Sequence, residues 1–176
     1  MRADLSQARA GVQRGVFLIE ALVAILIFSL GVLGLVALGG SAVGAQSDSQ
    51  YRTEASSLAD AIAGEIAVNV NRQNNGANIA ASLAAFSHRP GGGACVFNGA
   101  GTTNAQVQAL IDRAANALLP AVPGLPSATA AQQQILVLNA PGDFNRVEIT
   151  LCWRTANDNN VWRKHVLVMY VNGGRV

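Results

Sequence analysis

Charge is scarce in this sequence. Only 12% of its 176 residues are Asp, Glu, Lys or Arg, and most of that charge cancels. Arg2, Arg9 and Arg14 against Asp4 account for the whole net charge of +2, and nine cations and nine anions follow. No basic face tracks a phosphate backbone, so no nucleic-acid partner is expected. Histidine is scarcer still. His88 and His165 are the only two, far apart and without Cys or carboxylates at metal-ligand spacing. Both read as surface or partly packed side chains. No GxSxG, HExxH or CxxC occurs. The cluster Arg89-Pro90-Gly91-Gly92-Gly93 lacks the Gly-Lys-Ser/Thr that completes a phosphate-binding loop, and reads as a flexible connection. Asp112 on a helix flank, Asp143 and Asp158 in turns and Glu148 on a strand read as solvated. Trp153, Trp162 and Tyr170 fall at sheet spacing and read as packing residues. No catalytic residue, metal site or cofactor is expected, and the chain does not read as an enzyme.

Cysteine is limited to Cys95 and Cys152. An even count in an oxidising compartment favours one disulfide, and two buried thiols are the alternative. A bridge closing a loop of this size would stabilise the fold by roughly 4 kcal/mol in the chain-entropy model.

What the sequence has in abundance is one apolar block. From Val16 to Leu38 the only polar side chains are Glu20 and Ser29. That length suits a helix crossing a hydrocarbon core. The basic leader before it is expected to stay cytoplasmic, leaving the bulk of the chain outside. The next cation is Arg52, in agreement. Ser41 to Ala45 resembles a signal-peptidase site, but the apolar run before it exceeds the roughly 7–15 residues of a secretory core. Glu20 is the anomaly. A carboxylate at the centre of a membrane helix costs about 2.5–3.5 kcal/mol on insertion scales. A plain anchor has no use for one.

Arg14-Gly15, then Val16-Phe17-Leu18-Ile19-Glu20 and Ala21-Leu22-Val23-Ala24-Ile25-Leu26, resembles the class III signal of type IV prepilins. The resemblance implies cleavage after Gly15 by a prepilin peptidase, N-methylation of Val16, and Glu20 as the fifth mature residue. Val16 departs from the phenylalanine usual in major pilins; minor pilins vary more there. The apolar sequence through Gly31-Val32-Leu33-Gly34-Leu35 is most similar to the PilV group of minor pilins. On this resemblance Glu20 pairs with the N-terminal amine of a neighbouring subunit, neutralising two otherwise isolated charges. Snorkelling to the cytoplasmic headgroups is the alternative. The implied partners are other minor and major pilins, the prepilin peptidase and assembly machinery, and the inner membrane. The implied location is the inner membrane, with a periplasmic head, and then the cell-surface pilus.

Beyond the span, Tyr51, Ala55, Leu58, Ala59, Ile62, Ala63, Ile66 and Val70 recur in steps of three and four. This spacing predicts an amphipathic helix continuing to about Asn71. Gly31, Gly34, Gly39, Gly40 and Gly44 permit close helix approach, or reflect the ordinary frequency of glycine in membrane helices. Asn74-Asn75-Gly76 is a turn signal. A short helix is expected over Ile79 to Phe86, and another over Ala105 to Leu119, where Pro120, Pro123 and Pro126 end it. Gln134 to Asn139, Val147 to Trp153 and Val161 to Val171 read as strands. Pro141-Gly142-Asp143 and Asn157-Asp158-Asn159-Asn160 are the turns between them. The expected fold is α+β, with a long N-terminal helical stem packed on a small C-terminal antiparallel sheet of three or four strands. The expected organisation is a leader over 1–15, an assembly helix over 16–40, an amphipathic stem over 41–72 and a head over 73–176.

The functional expectation is a structural minor pilin that helps initiate the type IV pilus, supporting adhesion and twitching motility. A minor pseudopilin of type II secretion shares the signal and stem. A membrane-anchored periplasmic binding module that never polymerises is the alternative of another class.

Overall fold

The stripe from Tyr51 to Val70 is where the hydrophobic core begins. A computed structural model of the chain describes residues 14–73, 78–115, 124–155 and 158–172. Its first element is helix α1, Arg14–Asn69. The chain divides within this helix into two units, Met1–Ser47 and Asp48–Val176.

In the first unit the helix is apolar and uncovered. Phe17 is 73% exposed, and Leu22, Leu26 and Leu33 are exposed alike. Among the described residues, α1 is the one helix long and apolar enough to cross a membrane. In the second unit Ala55, Leu58, Ala59, Ile62, Ile66 and Val70 are buried, with Tyr51 and Ala63 packed beside them. Arg52 and Asp60 fall on the solvent side, as the spacing predicts.

The stripe packs on a three-stranded antiparallel sheet of order β3-β4-β5, formed by Gln133–Leu138, Arg146–Trp153 and Arg163–Tyr170. Alternation decides which side chains face the helix. Ile135 pairs Ile149, which pairs Leu167; Val137 pairs Val147, which pairs Met169. These share the core with Leu58, Ile62 and Ile66. Fold class is therefore α+β, as expected.

Two short helices close the remaining sides. Ile79 and Leu83, one turn apart on α2 (Ile79–Leu83), are both buried, and a 3₁₀ turn follows over Ala84–Phe86. Helix α3 (Ala105–Ala114) starts at Asn104, whose side chain accepts the Val107 N–H at 2.9 Å. It buries Val107, Ile111 and Ala114. Arg113 near its end reaches Glu54 of α1 at 3.0 Å. The continuation expected to Leu119, the breakers Pro120 and Pro123, and the Asn74-Asn75-Gly76 turn lie outside the described residues.

One expectation is corrected. Gly91–Gly93 is a strand, β1, paired with β2 (Val96–Asn98), and not a flexible connection. Alternation cannot mark a strand that has no side chains. Gly92 is the glycine that close approach requires: its φ is 85°, and a Cβ there would lie 2.3 Å from the Val96 carbonyl oxygen. A Cβ on Gly91 would meet only the Asn98 side chain, at 2.2 Å from Oδ1, and one on Gly93 would meet nothing within 4 Å. The two-residue turn, Ala94 (φ 49°) and Cys95 (φ 64°), is left-handed at both positions, as a type I′ hairpin requires.

Candidate functional site

Gly15, Val16 and Glu20 all lie in the opening turns of α1. Glu20 is exposed, between Ile19 (66% exposed) and Leu22 (67%). Ser29, the other polar side chain of the block, is satisfied locally, since its hydroxyl donates to the Ile25 carbonyl at 2.7 Å. Such back-bonding hides a hydroxyl in an apolar helix. Glu20 has no equivalent, because a carboxylate only accepts and the backbone N–H groups of its own turn are used by the helix. Among the described residues it makes no ion pair or hydrogen bond.

The two cysteines are bonded, Cys95 to Cys152, with Cα atoms 5.8 Å apart. The bridge anchors the tip of the β1–β2 hairpin to the face of β4 opposite Leu151 and Trp153. With Phe97 it forms a second small apolar cluster, against which Trp162 packs. The Arg154 guanidinium lies 4.6 Å from the Trp162 ring centroid, a cation–π contact at the base of the β4–β5 turn. Trp153 is buried in the main core, whereas Tyr170 is 56% exposed.

Asp158 is the acid that sequence reasoning misplaced as solvated. Its side chain is 6% exposed and accepts from Arg163 at 2.6 Å. It also accepts the N–H and hydroxyl of Thr155, at 2.6 and 2.9 Å. The Arg163 hydrogen bond first, then the Thr155 N–H, holds this carboxyl down at about 2. Asp112, Asp143 and Glu148 are half-buried, with Gln108, the Ala140 N–H and Arg146 as partners.

His88 is also deeper than expected, 2% exposed. Its backbone bridges to Ile135 of β3. Its Nδ1 accepts the Thr102 N–H at 3.3 Å and its Nε2 lies 3.2 Å from the Ala130 carbonyl, which fixes the tautomer as Nε2–H. Burial pushes its pKa down, with Arg89 adding to the shift and the Ala130 bond and Asp112 opposing it. Both ring nitrogens serve the fold. No group of three or more His, Cys, Asp or Glu is gathered to hold a metal among the described residues.

Compared with models of protein families, with curated proteins and with solved structures, the chain matches none.

Proposed function

We propose that this chain is a minor subunit of a type IV pilus, of the PilV type. The leader over 1–15 is removed after Gly15 by a prepilin peptidase, and Val16 becomes the methylated N-terminus. The apolar half of α1 holds the protein in the inner membrane, with the leader on the cytoplasmic side and the head in the periplasm. From there it joins other minor and major pilins at pilus initiation, in support of adhesion and twitching motility.

One observation carries the reading. Among the described residues Glu20 stands unpaired, in an exposed apolar helix and five residues after a glycine that closes a basic leader. Alone it is costly. Beside a neighbouring subunit's new N-terminal amine, both charges are neutralised, and the pairing selects one register between subunits. The apolar surface around it becomes covered in the same step.

Two measurements test this. Mass spectrometry of protein from its own cell should find methylated Val16 as the first residue, and Gly15→Trp should leave the leader attached. Glu20→Leu should still be cut after Gly15 and should reach the membrane at an undiminished level, while its amount in sheared pili and the number of pili per cell fall. Normal incorporation and piliation with Glu20→Leu would defeat the pairing argument. An N-terminus near Ala45 would defeat the prepilin assignment itself.

A further inference from the structure

Strand β5 is a sheet edge with little to protect it. It is last in the order β3-β4-β5, so one side of its backbone has no ladder partner among the described residues. Edges of this kind are usually blunted by proline, a bulge or spaced charges. Here the pairing with β4 runs unbroken from Arg163 to Tyr170, and the charges sit at one end. On the face away from α1, Val166, Val168 and Tyr170 are 44%, 47% and 56% exposed.

The space beside this edge has its own chemistry. A shallow, open depression of about 480 Å³ is lined by Arg52, Thr53, Ser56, Ser57 and Asp60 of α1 and by His165 of β5. Arg52 is already engaged with Asp48 at 3.0 Å. Asp60 is exposed and makes no ion pair among the described residues. Lys164, on the opposite face next to His165, is likewise exposed and unpaired.

We infer that β5 is a docking edge for an extended segment of another protein, which adds as a fourth antiparallel strand along positions 164–170. Backbone hydrogen bonds give such an addition its affinity, and alternate side chains give it specificity. The outward side chains of the segment are apolar, to cover Val166, Val168 and Tyr170. The inward residue paired with His165 is Lys or Arg, to meet Asp60. The next residue, paired with Lys164, is Asp or Glu. A second copy of β5 does not fit these demands. Its sequence, Arg-Lys-His-Val-Leu-Val-Met-Tyr, carries no carboxylate for Lys164 in any register. The inference does not depend on the filament reading, because it requires a partner strand and no polymer.

The test uses the full-length protein in membranes of its own cell. The photo-reactive residue p-benzoylphenylalanine replaces Ser57 or Val168, one at a time, and the joined peptides are sequenced after irradiation. Both positions should join the same segment of one other protein, with alternate apolar residues and a basic residue followed by an acidic one. A synthetic peptide of that segment should bind the purified full-length protein in detergent. Asp60→Asn, on an exposed helix flank, should weaken that binding about fivefold with no change in melting temperature. Adducts to β5 of a second copy, to lipid, or to unrelated segments from the two positions would overturn the inference. So would no adduct at either position while the same probe at Leu26 reacts, or peptide binding indifferent to Asp60→Asn. A protein absent from pili yet joined at β5 would defeat only the filament reading.

Discussion

Arg163 on β5 donates to Asp48 on α1, across 115 positions of sequence, and holds Asp158 with the same guanidinium. Asp48 in turn accepts from Arg52 one helical turn on. Four alternating charges thus run from the stem, through the start of β5, into the β4–β5 turn. Neither half of this network announces itself in the sequence, since Asp48 lies in a polar stretch and Arg163 opens a strand, with 115 positions between them.

Asp158 makes this network sensitive to acid. Its carboxyl titrates at about 2 in the folded chain, against an ordinary 3.8. A depressed carboxylate contributes stability that is complete above the unfolded value and is lost as pH falls through the folded one. Thermal melting should therefore show a loss between about pH 4 and pH 2. In Arg163→Met the Asp158 carboxyl should titrate nearer its ordinary value, and this part of the loss should shrink. A carboxyl still titrating at about 2 in that variant would assign the shift to Thr155 instead.

His88 acts at milder pH and for the opposite reason. Burial holds its folded pKa below the ordinary 6.5, so the unfolded chain binds the proton more readily. Stability should fall as pH drops below about 6.5 and go on falling through the folded pKa. Protonation would also turn Nδ1 into a donor facing the Thr102 N–H. His88→Asn, which does not titrate, should flatten the melting temperature between pH 7 and pH 5. An unchanged slope would place the sensitivity elsewhere.

The disulfide should matter most locally. Replacing both cysteines by Ser should cost about 2–4 kcal/mol in chemical denaturation. Amide exchange should rise first over Gly92 to Phe97, because the hairpin holds only three residue pairs and a turn left-handed at Ala94 and Cys95. In oxidised protein, unfolding without reductant should expose no thiol to alkylation.

Ile62 lies at the centre of the stem's buried stripe, fully covered. Ile62→Ala should destabilise the head by about 2–5 kcal/mol through lost burial and the cavity left behind. Val68 on the same helix is 80% exposed, and Val68→Ala should stay within about 0.5 kcal/mol. Equal losses at the two positions would mean the stripe is not the packing face.

The stem and the sheet were legible in the sequence because each has side chains repeating at the period of its own structure. Leu58, Ile62 and Ile66 step by four; Val147, Ile149 and Leu151 step by two. Elements that lack such a repeat were not legible. Gly91 to Gly93 present no pattern to read. His88 and Asp158 are buried by partners distant in sequence or held in a turn, Ala130 and Thr102 for one and Arg163 and Thr155 for the other. Glu20 was visible as an anomaly because its surroundings are so uniform. The β5 edge was not, since strand order is a property of the folded sheet.

The wide separation between the stem's stripe and the strands that cover it bears on how the protein is made. Val70 leaves the ribosome about a hundred residues before Tyr170, which at 5–20 residues per second is roughly 5–20 s. During that interval Leu58, Ile62 and Ile66 have no sheet to cover them. Strand β5, made well after the stem, supplies Arg163 for Asp48, so an early part of the head depends on a late one. A nascent chain stalled before β5 should therefore present a sticky, protease-sensitive stem, and its exposure to chaperones should end abruptly when Tyr170 emerges.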